Sequence, residues 1–374
     1  MTTGALWPVG RGLGGPHGPG VPGPGGHAAA CIGETMAALV PAELEPLETA
    51  AALRVDVAGA ESNVAMYLAD HGVRARWISR LGDDALGWRV ARTVGAAGVD
   101  VSGVTFDPAR STGLLFKDPG PSAAPGARAT RVTYYRRDSA ASAMGPHLLA
   151  DQALRTASLW HLSGITPALS PSCRALTRAA LDVTHSADRP RPVVSFDVNY
   201  RAALWVADET AGDLLRELAD AADIVFVGLD EAAILWGAAA REPAGVRALL
   251  PSPRIVVVKD AARGATAFHG DTLTLVPALR VDVVEPVGAG DAFAAGFLAE
   301  LLNSGDVVRC LRSGHLTAAS ALTVAGDHGP LPEAAIREHL LTTDDATWAR
   351  AQFSRAGPRP PGRAARRRPA ARRR

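Results

Sequence analysis

Four short apolar runs, residues 158–162, 193–197, 224–228 and 255–259, alternate with stretches of helical periodicity, and each ends where a polar or small residue turns the chain. An apolar run without alternation is buried on both faces, as in a parallel sheet covered by helices on either side. The chain is therefore expected to form an α/β domain around a doubly wound, mostly parallel sheet. Ligands gather at the carboxyl ends of such strands, which puts His161, Asp197, Asn199, Glu231 and Lys259 on the side where chemistry is expected.

The N-terminal third reads differently. Residues 54–57, 74–79, 113–116 and 132–136 are short, β-rich and separated by Gly, Pro, Ser or Asp clusters. Some of them are expected to leave the main layer and form a small β-sheet lid that excludes water from a site at the strand ends; the other reading makes them edge strands of the main sheet.

The two ends stand apart by composition. Residues 1–27 hold ten Gly, five Pro and no acid, and residues 354–374 hold nine Arg and no acid. Neither can bury enough apolar surface to offset the cost of ordering it, so disordered extensions are expected over 1–27 and 351–374, with one folded domain over 28–350. Of 39 Lys and Arg and 38 Asp and Glu, residues 28–353 keep 29 basic and 38 acidic groups, so the folded part is acidic. The Arg-rich tail invites a nucleic-acid reading by charge alone, but a solvated extension explains it as well and no nucleic-acid partner is expected. Gly10, Gly12 and Gly15 spell a GxGxxG, yet with no strand before it and no helix after it the pattern cannot work as a dinucleotide fingerprint. Cys31, Cys173 and Cys310 are widely spaced and lack any CxxC pair, which implies reduced thiols rather than disulfides or a zinc site. No run is long and apolar enough for a membrane span, and a cytoplasmic location is expected.

The most informative stretch runs from Val283 through Glu285, Gly288, Ala289, Gly290 and Asp291 into an apolar helix ending beyond Leu298. It reads as strand, glycine turn, helix. Small residues let the backbone approach a ligand, and the unpaired N–H groups of a first helical turn attract an anion. Asp291 reads either as a simple cap or, beside such a cradle, as the base for a hydroxyl attacking a phosphoryl group held by Gly288, Ala289 and Gly290. The chain lacks the P-loop pattern GxxxxGK[ST] and the HRD and DFG segments of protein kinases.

This helix start resembles the second signature of the PfkB, or ribokinase-like, carbohydrate kinases. Residues 58–65, containing Gly59 and Asn63, are similar to that family's early glycine motif, and residues 81–87 to the segment after it. Within the family the chain is most similar to 2-keto-3-deoxygluconate kinases, through Tyr134 to Arg137 with Ser139 to Ser142, His161 to Pro167, Phe196 to Arg201, and Gly326 to His328. The resemblance implies a ribokinase-like fold with a small β-sheet lid, ATP and Mg²⁺ as cofactors, and a small sugar acid as substrate. It implies that Gly59, Asn63, Tyr134, Arg136 and Ile165 line the sugar-acid site, that Arg201 meets the substrate carboxylate and that Asp327 meets a hydroxyl. The ATP side would comprise Asn199, the turn from Lys259 to Gly264 and Ala265, Gly288 and Gly290, with His315 near the adenine. Glu231 would help to hold magnesium through water, and an oligomer would join through the lid.

Read alone, Arg201 also fits a surface salt bridge, Lys259 a surface lysine and Glu231 a cap. The chain departs from the family at Ala58, Gly228, Asp260, Glu285 and His315, which bear on nucleotide and magnesium binding. Two alternatives follow: a kinase for a neutral sugar such as fructose or ribose, and a sugar-acid binder without turnover.

Overall fold

The computed structural model describes residues 28–43, 45–118, 131–183, 191–205, 210–354 and 357–359. The Gly10 to Gly15 motif and most of the Arg-rich tail lie outside them. In chain order the strands are β1 (Ala28–Ile32), β2 (Met36–Pro41), β3 (Leu53–Ala58), β4 (Arg74–Gly82), β5 (Asp100–Asp107), β6 (Leu114–Asp118), β7 (Arg131–Tyr135), β8 (Leu159–Ser163), β9 (Val193–Asp197), β10 (Ile224–Gly228), β11 (Ile255–Asp260), β12 (Gly264–His269), β13 (Thr272–Pro277), β14 (Arg280–Val281), β15 (Gln352–Ser354) and β16 (Gly357–Arg359).

Nine of them form the main sheet in the order β13-β12-β11-β10-β9-β8-β1-β4-β5. The seven from β11 to β5 run parallel, and β12 and β13 close one edge as an antiparallel meander. The apolar runs are explained by what covers them: along β11, Ile255 and Val257 pack into one core while Val256 and Val258 pack into the other. This is the ribokinase-like α/β architecture expected from the sequence, with helices on both faces and a small accessory sheet.

The accessory sheet has the order β3-β2-β6-β7. One of its faces carries a small core of Met36, Ala38, Ala58 and Leu115, with Val132 and Tyr134 against it. Two expectations are corrected here. Residues 74–79, grouped with the lid strands, lie in β4, which pairs in parallel with β1 and β5 in the main sheet and buries Trp77, Ile78 and Leu81. β2, by contrast, was not expected in the lid.

The folded region also extends past residue 350. Phe353 and Ala351 are buried in the main core, β15 pairs in parallel with β14, and Asp282 N donates to the Phe353 carbonyl at 3.0 Å. All three cysteines are free and buried, and burial pushes the Cys173 thiol up to about 11. Among the described residues no helix is long and apolar enough to cross a membrane.

Candidate active site

The helix Ala289–Asn303 starts the way the glycine turn requires. Gly288 caps it with φ +85, a left-handed conformation that favours glycine, and a Cβ there would lie 3.0 Å from the Cβ of Asp327. The first-turn N–H groups, with Ala289 and Gly290 among them, have no acceptor within the helix and point out of its positive end. Lys259, at the end of β11, adds a full charge, since a Cβ on Gly290 would sit 3.4 Å from its Nζ. The cradle inferred from the sequence is thus joined by a cation from a neighbouring strand.

Asp291 is buried, and each of its oxygens accepts one amide N–H: Oδ2 from Asn63 Nδ2 at 2.9 Å and Oδ1 from Asn199 Nδ2 at 3.0 Å. Burial pushes its carboxyl up to about 6; the Asn63 hydrogen bond and the charges of Arg201 and Lys259 oppose the rise, and Asp197 adds to it. Asn199 adopts φ +40 after β9 and turns its amide to Asp291. Lys259 donates to Asp197 Oδ2 at 2.7 Å. Burial opposes its charge, yet the carboxylates of Asp197 and Glu231 hold its ammonium above the ordinary lysine value.

Glu231 closes the start of its own helix, accepting from the backbone N–H of Gly228 and, at 2.9 Å, from that of Tyr200. Burial raises its carboxyl, against the pull of Lys259. Among the described residues no group of three His, Cys, Asp or Glu side chains converges to hold a metal alone. With both oxygens of Glu231 engaged by N–H groups and Asp197 on Lys259, this donor set fits a magnesium ion carried by phosphates and reached through water rather than one ligated directly.

On the lid side, Gly59 is small for a steric reason: a Cβ there would fall 2.4 Å from the Glu34 carbonyl and from Thr35 Oγ1. Tyr134 faces the lid core and lies under the Arg136 guanidinium, 5.5 Å from its centre, while Tyr135 is exposed and meets Phe116 edge-on. Ile165 is buried where β8 turns into the next helix. Arg201 is exposed, and its Nη1 donates to the Tyr200 carbonyl at 3.2 Å. Asp327 accepts from Lys117 Nζ at 2.6 Å and lies 3.5 Å from Asn63 Nδ2.

Several of the expected site residues are held by contacts within the protein. Arg136 donates to Glu34, a buried acid in the turn after β1 that also accepts from Ser139 Oγ at 2.9 Å. His161 is a core residue bonded to Ser195 Oγ at 2.8 Å and held neutral by burial, which lowers it to about 4. His315 is likewise buried, 3.1 Å from the Val276 carbonyl and edge-on to Phe293. Gly264 sits in the β11–β12 hairpin with φ +146, where a Cβ would meet the Val276 carbonyl at 2.4 Å, and Ala265 is buried opposite Lys259. Both therefore have packing reasons for their identity. Asp260, an acid on the expected nucleotide side, is matched by Arg263 at 3.3 Å.

Glu34, Lys117 and Glu61 were not found from the sequence. Glu61 is fully buried, accepts from Ser163 and Thr166, and is pushed up to about 7 by burial. The available signal was a lone charge in an apolar run, as Glu34 is between Ile32 and Val40 and Lys117 after Leu114 to Phe116.

Such an arrangement can move a phosphoryl group: an anion fits the helix start, and a fixed carboxylate beside it can take the proton of an attacking hydroxyl. Comparison with known proteins narrows the class. The pfkB family carbohydrate kinase profile matches residues 27–334, and the chain belongs to that family. It is 35% identical over 304 residues to a 2-dehydro-3-deoxygalactonokinase of Haloferax volcanii, covering 79% of this chain and 91% of that one. It is 33% identical over 306 residues to a 2-dehydro-3-deoxygluconokinase of Bacillus subtilis, covering 81% and 92%. The crystal structure of a PfkB protein from Polaromonas sp. JS666 superposes with a TM-score of 0.69 at 33% identity, covering 79% of this chain and 95% of that one. The activity is therefore ATP-dependent phosphorylation of a sugar.

Proposed function

We propose that the sugar is a sugar acid, 2-dehydro-3-deoxy-D-gluconate or its galactonate epimer, phosphorylated at its terminal hydroxyl. The observation that carries this reading is Arg201, an exposed guanidinium without an acidic partner among the described residues, whose charge acts on Asp291 against the rise that burial gives its carboxyl. A guanidinium holds a carboxylate by two parallel charge-assisted hydrogen bonds, so a substrate carboxylate on Arg201 anchors one end of the molecule. The hydroxyl at the other end attacks the γ-phosphorus of ATP, the bond to the bridging oxygen of ADP breaks, and Asp291 accepts the hydroxyl proton. The Gly288 to Gly290 turn and Lys259 hold the transferred group. Magnesium, when bound, neutralises phosphate charge; Asp197 and Glu231 would face it through water.

The neutral-sugar reading draws on one observation: Glu34 already pairs Arg136, leaving one cation fewer for a substrate carboxylate. ADP release measured across sugar acids, fructose and ribose separates the two. The acids are expected to give the highest kcat/KM, and Arg201→Ala to lower that value by roughly 10- to 150-fold, the cost of a charge-assisted hydrogen bond, while lowering the value for fructose far less. A wild-type preference for fructose, or equal losses on both substrates, would overturn the assignment.

A further inference from the structure

Lys117 has no role in the scheme above. It lies in β6 two residues after Leu115 and opposite Val132 of β7, and so on the lid face that carries Met36, Ala38, Ala58 and Tyr134. Its side chain leaves the lid and ends on the body of the molecule, at Asp327 Oδ1, 2.6 Å away; the two side chains are only 4% and 5% exposed. Asp327 in turn touches the catalytic machinery twice. Its backbone carbonyl and Cβ back onto Gly288, where an added Cβ would meet them at 3.1 and 3.0 Å. Its Oδ2 lies 3.5 Å from Asn63 Nδ2, the amide that donates to Asp291 at 2.9 Å.

We infer that Lys117 is a positioning residue that ties the seated lid to the catalytic carboxylate through Asp327 and Asn63. A buried ion pair between a lid strand and the loop after the helix Val307–Leu322 is satisfied only while the lid is down, because Asp327 otherwise faces the body with no other cation bonded to it among the described residues. Stranding one partner of such a pair is costly, whereas removing both charges costs much less. Asp327 and Asp291 also draw on one amide. With Lys117 on Asp327, the Asn63 amide, whose two N–H groups reach both carboxylates, sits nearer to Asp291; without it, the uncompensated Asp327 draws the amide toward itself, and one of the two restraints on the carboxylate that must receive the proton is loosened. Lid closure thereby sets the base as well as excluding water.

The inference rests on Asp291 being the base, which Asp291→Asn tests separately, but not on the identity of the sugar. It is tested on whichever sugar the wild-type enzyme turns over best, with Lys117→Met, Lys117→Arg, Asp327→Asn and the double variant Lys117→Met/Asp327→Asn. Lys117→Met is expected to lower kcat by roughly a hundredfold, the scale of one stranded buried charge, because the lid lifts and hydrates Asp327 while the main domain stays folded; the KM for ATP should stay within about threefold of wild type and the melting curve, set by the main cores, should be unchanged. Lys117→Arg should restore most of the rate. In the Asp327→Asn background, Lys117→Met should cost less than about threefold, because the charge it neutralises is gone. Unchanged kcat in folded Lys117→Met, or losses at the two positions that simply multiply, would overturn the coupling. A Lys117→Met variant that melts far below wild type would make Lys117 a structural residue and overturn the assignment equally.

Discussion

Asp291 shows how one residue's environment decides its chemistry. Its place at a helix start was evident from the Gly-Ala-Gly before it, but its two amide partners come from positions 63 and 199. Burial raises its carboxyl to about 6, so kcat/KM should fall about tenfold per pH unit below that value as the base becomes protonated. The stability effect has the opposite sign. A carboxyl whose folded pKa lies above its unfolded one binds the proton more tightly when folded, so acidification from about 6 toward the ordinary aspartate value adds stability from this group while removing activity. Rate and melting profiles taken together check this: activity should decline between pH 6 and 5 without unfolding. Asp291→Asn should lower kcat by roughly 10² to 10⁴, the contribution of a general base; retention of a tenth of the rate where chemistry limits turnover would remove Asp291 from that role. The partners of Arg136 and Asp327 were not legible, because Glu34, in the turn after β1, and Lys117, in β6, are single charges in apolar stretches and nothing local says which way they reach.

For the elements, legibility followed the period of the apolar pattern. β8 to β11 were read nearly to the residue because strands buried on both faces are apolar throughout. β4 was misplaced: Arg74, Arg76 and Arg80 give it the look of a half-exposed strand, whereas Arg76 bridges Asp100 and Asp151 and Arg80 meets Asp107 in the main sheet. The end of the domain was drawn too early for a related reason. The Arg-rich composition after residue 354 hid the strand Gln352–Ser354, whose Phe353 is buried in the main core with Trp348 and Ala351. Phe353→Ala is expected to cost about 3 kcal/mol in denaturant unfolding, the low end for truncating a buried aromatic. A midpoint unchanged from wild type would show that the strand contributes nothing.

At the scale of the whole molecule, the two sheets are unequal. The main sheet sits between two extensive apolar cores, while the lid's own core, among the described residues, is Met36, Ala38, Ala58 and Leu115. Local opening costs least where few apolar contacts are lost, so amides of β2, β3 and β6 should exchange hydrogen faster than those of β9 and β10, and sugar with ATP should slow the lid amides selectively. Lid amides as protected as β9 without ligand would contradict this. The amino-acid sequence by itself determined the parallel α/β layer, the glycine turn and the helix that opens on Asp291, because each depends on residues close together in the chain and on a local period. The tertiary structure alone decided which strands left the main sheet, which carboxylate met which cation, and that Lys117 reaches Asp327 across 210 positions. Those pairings depend on the packing of elements distant in sequence, and a charge in an apolar strand carries no mark of the partner that burial will require of it.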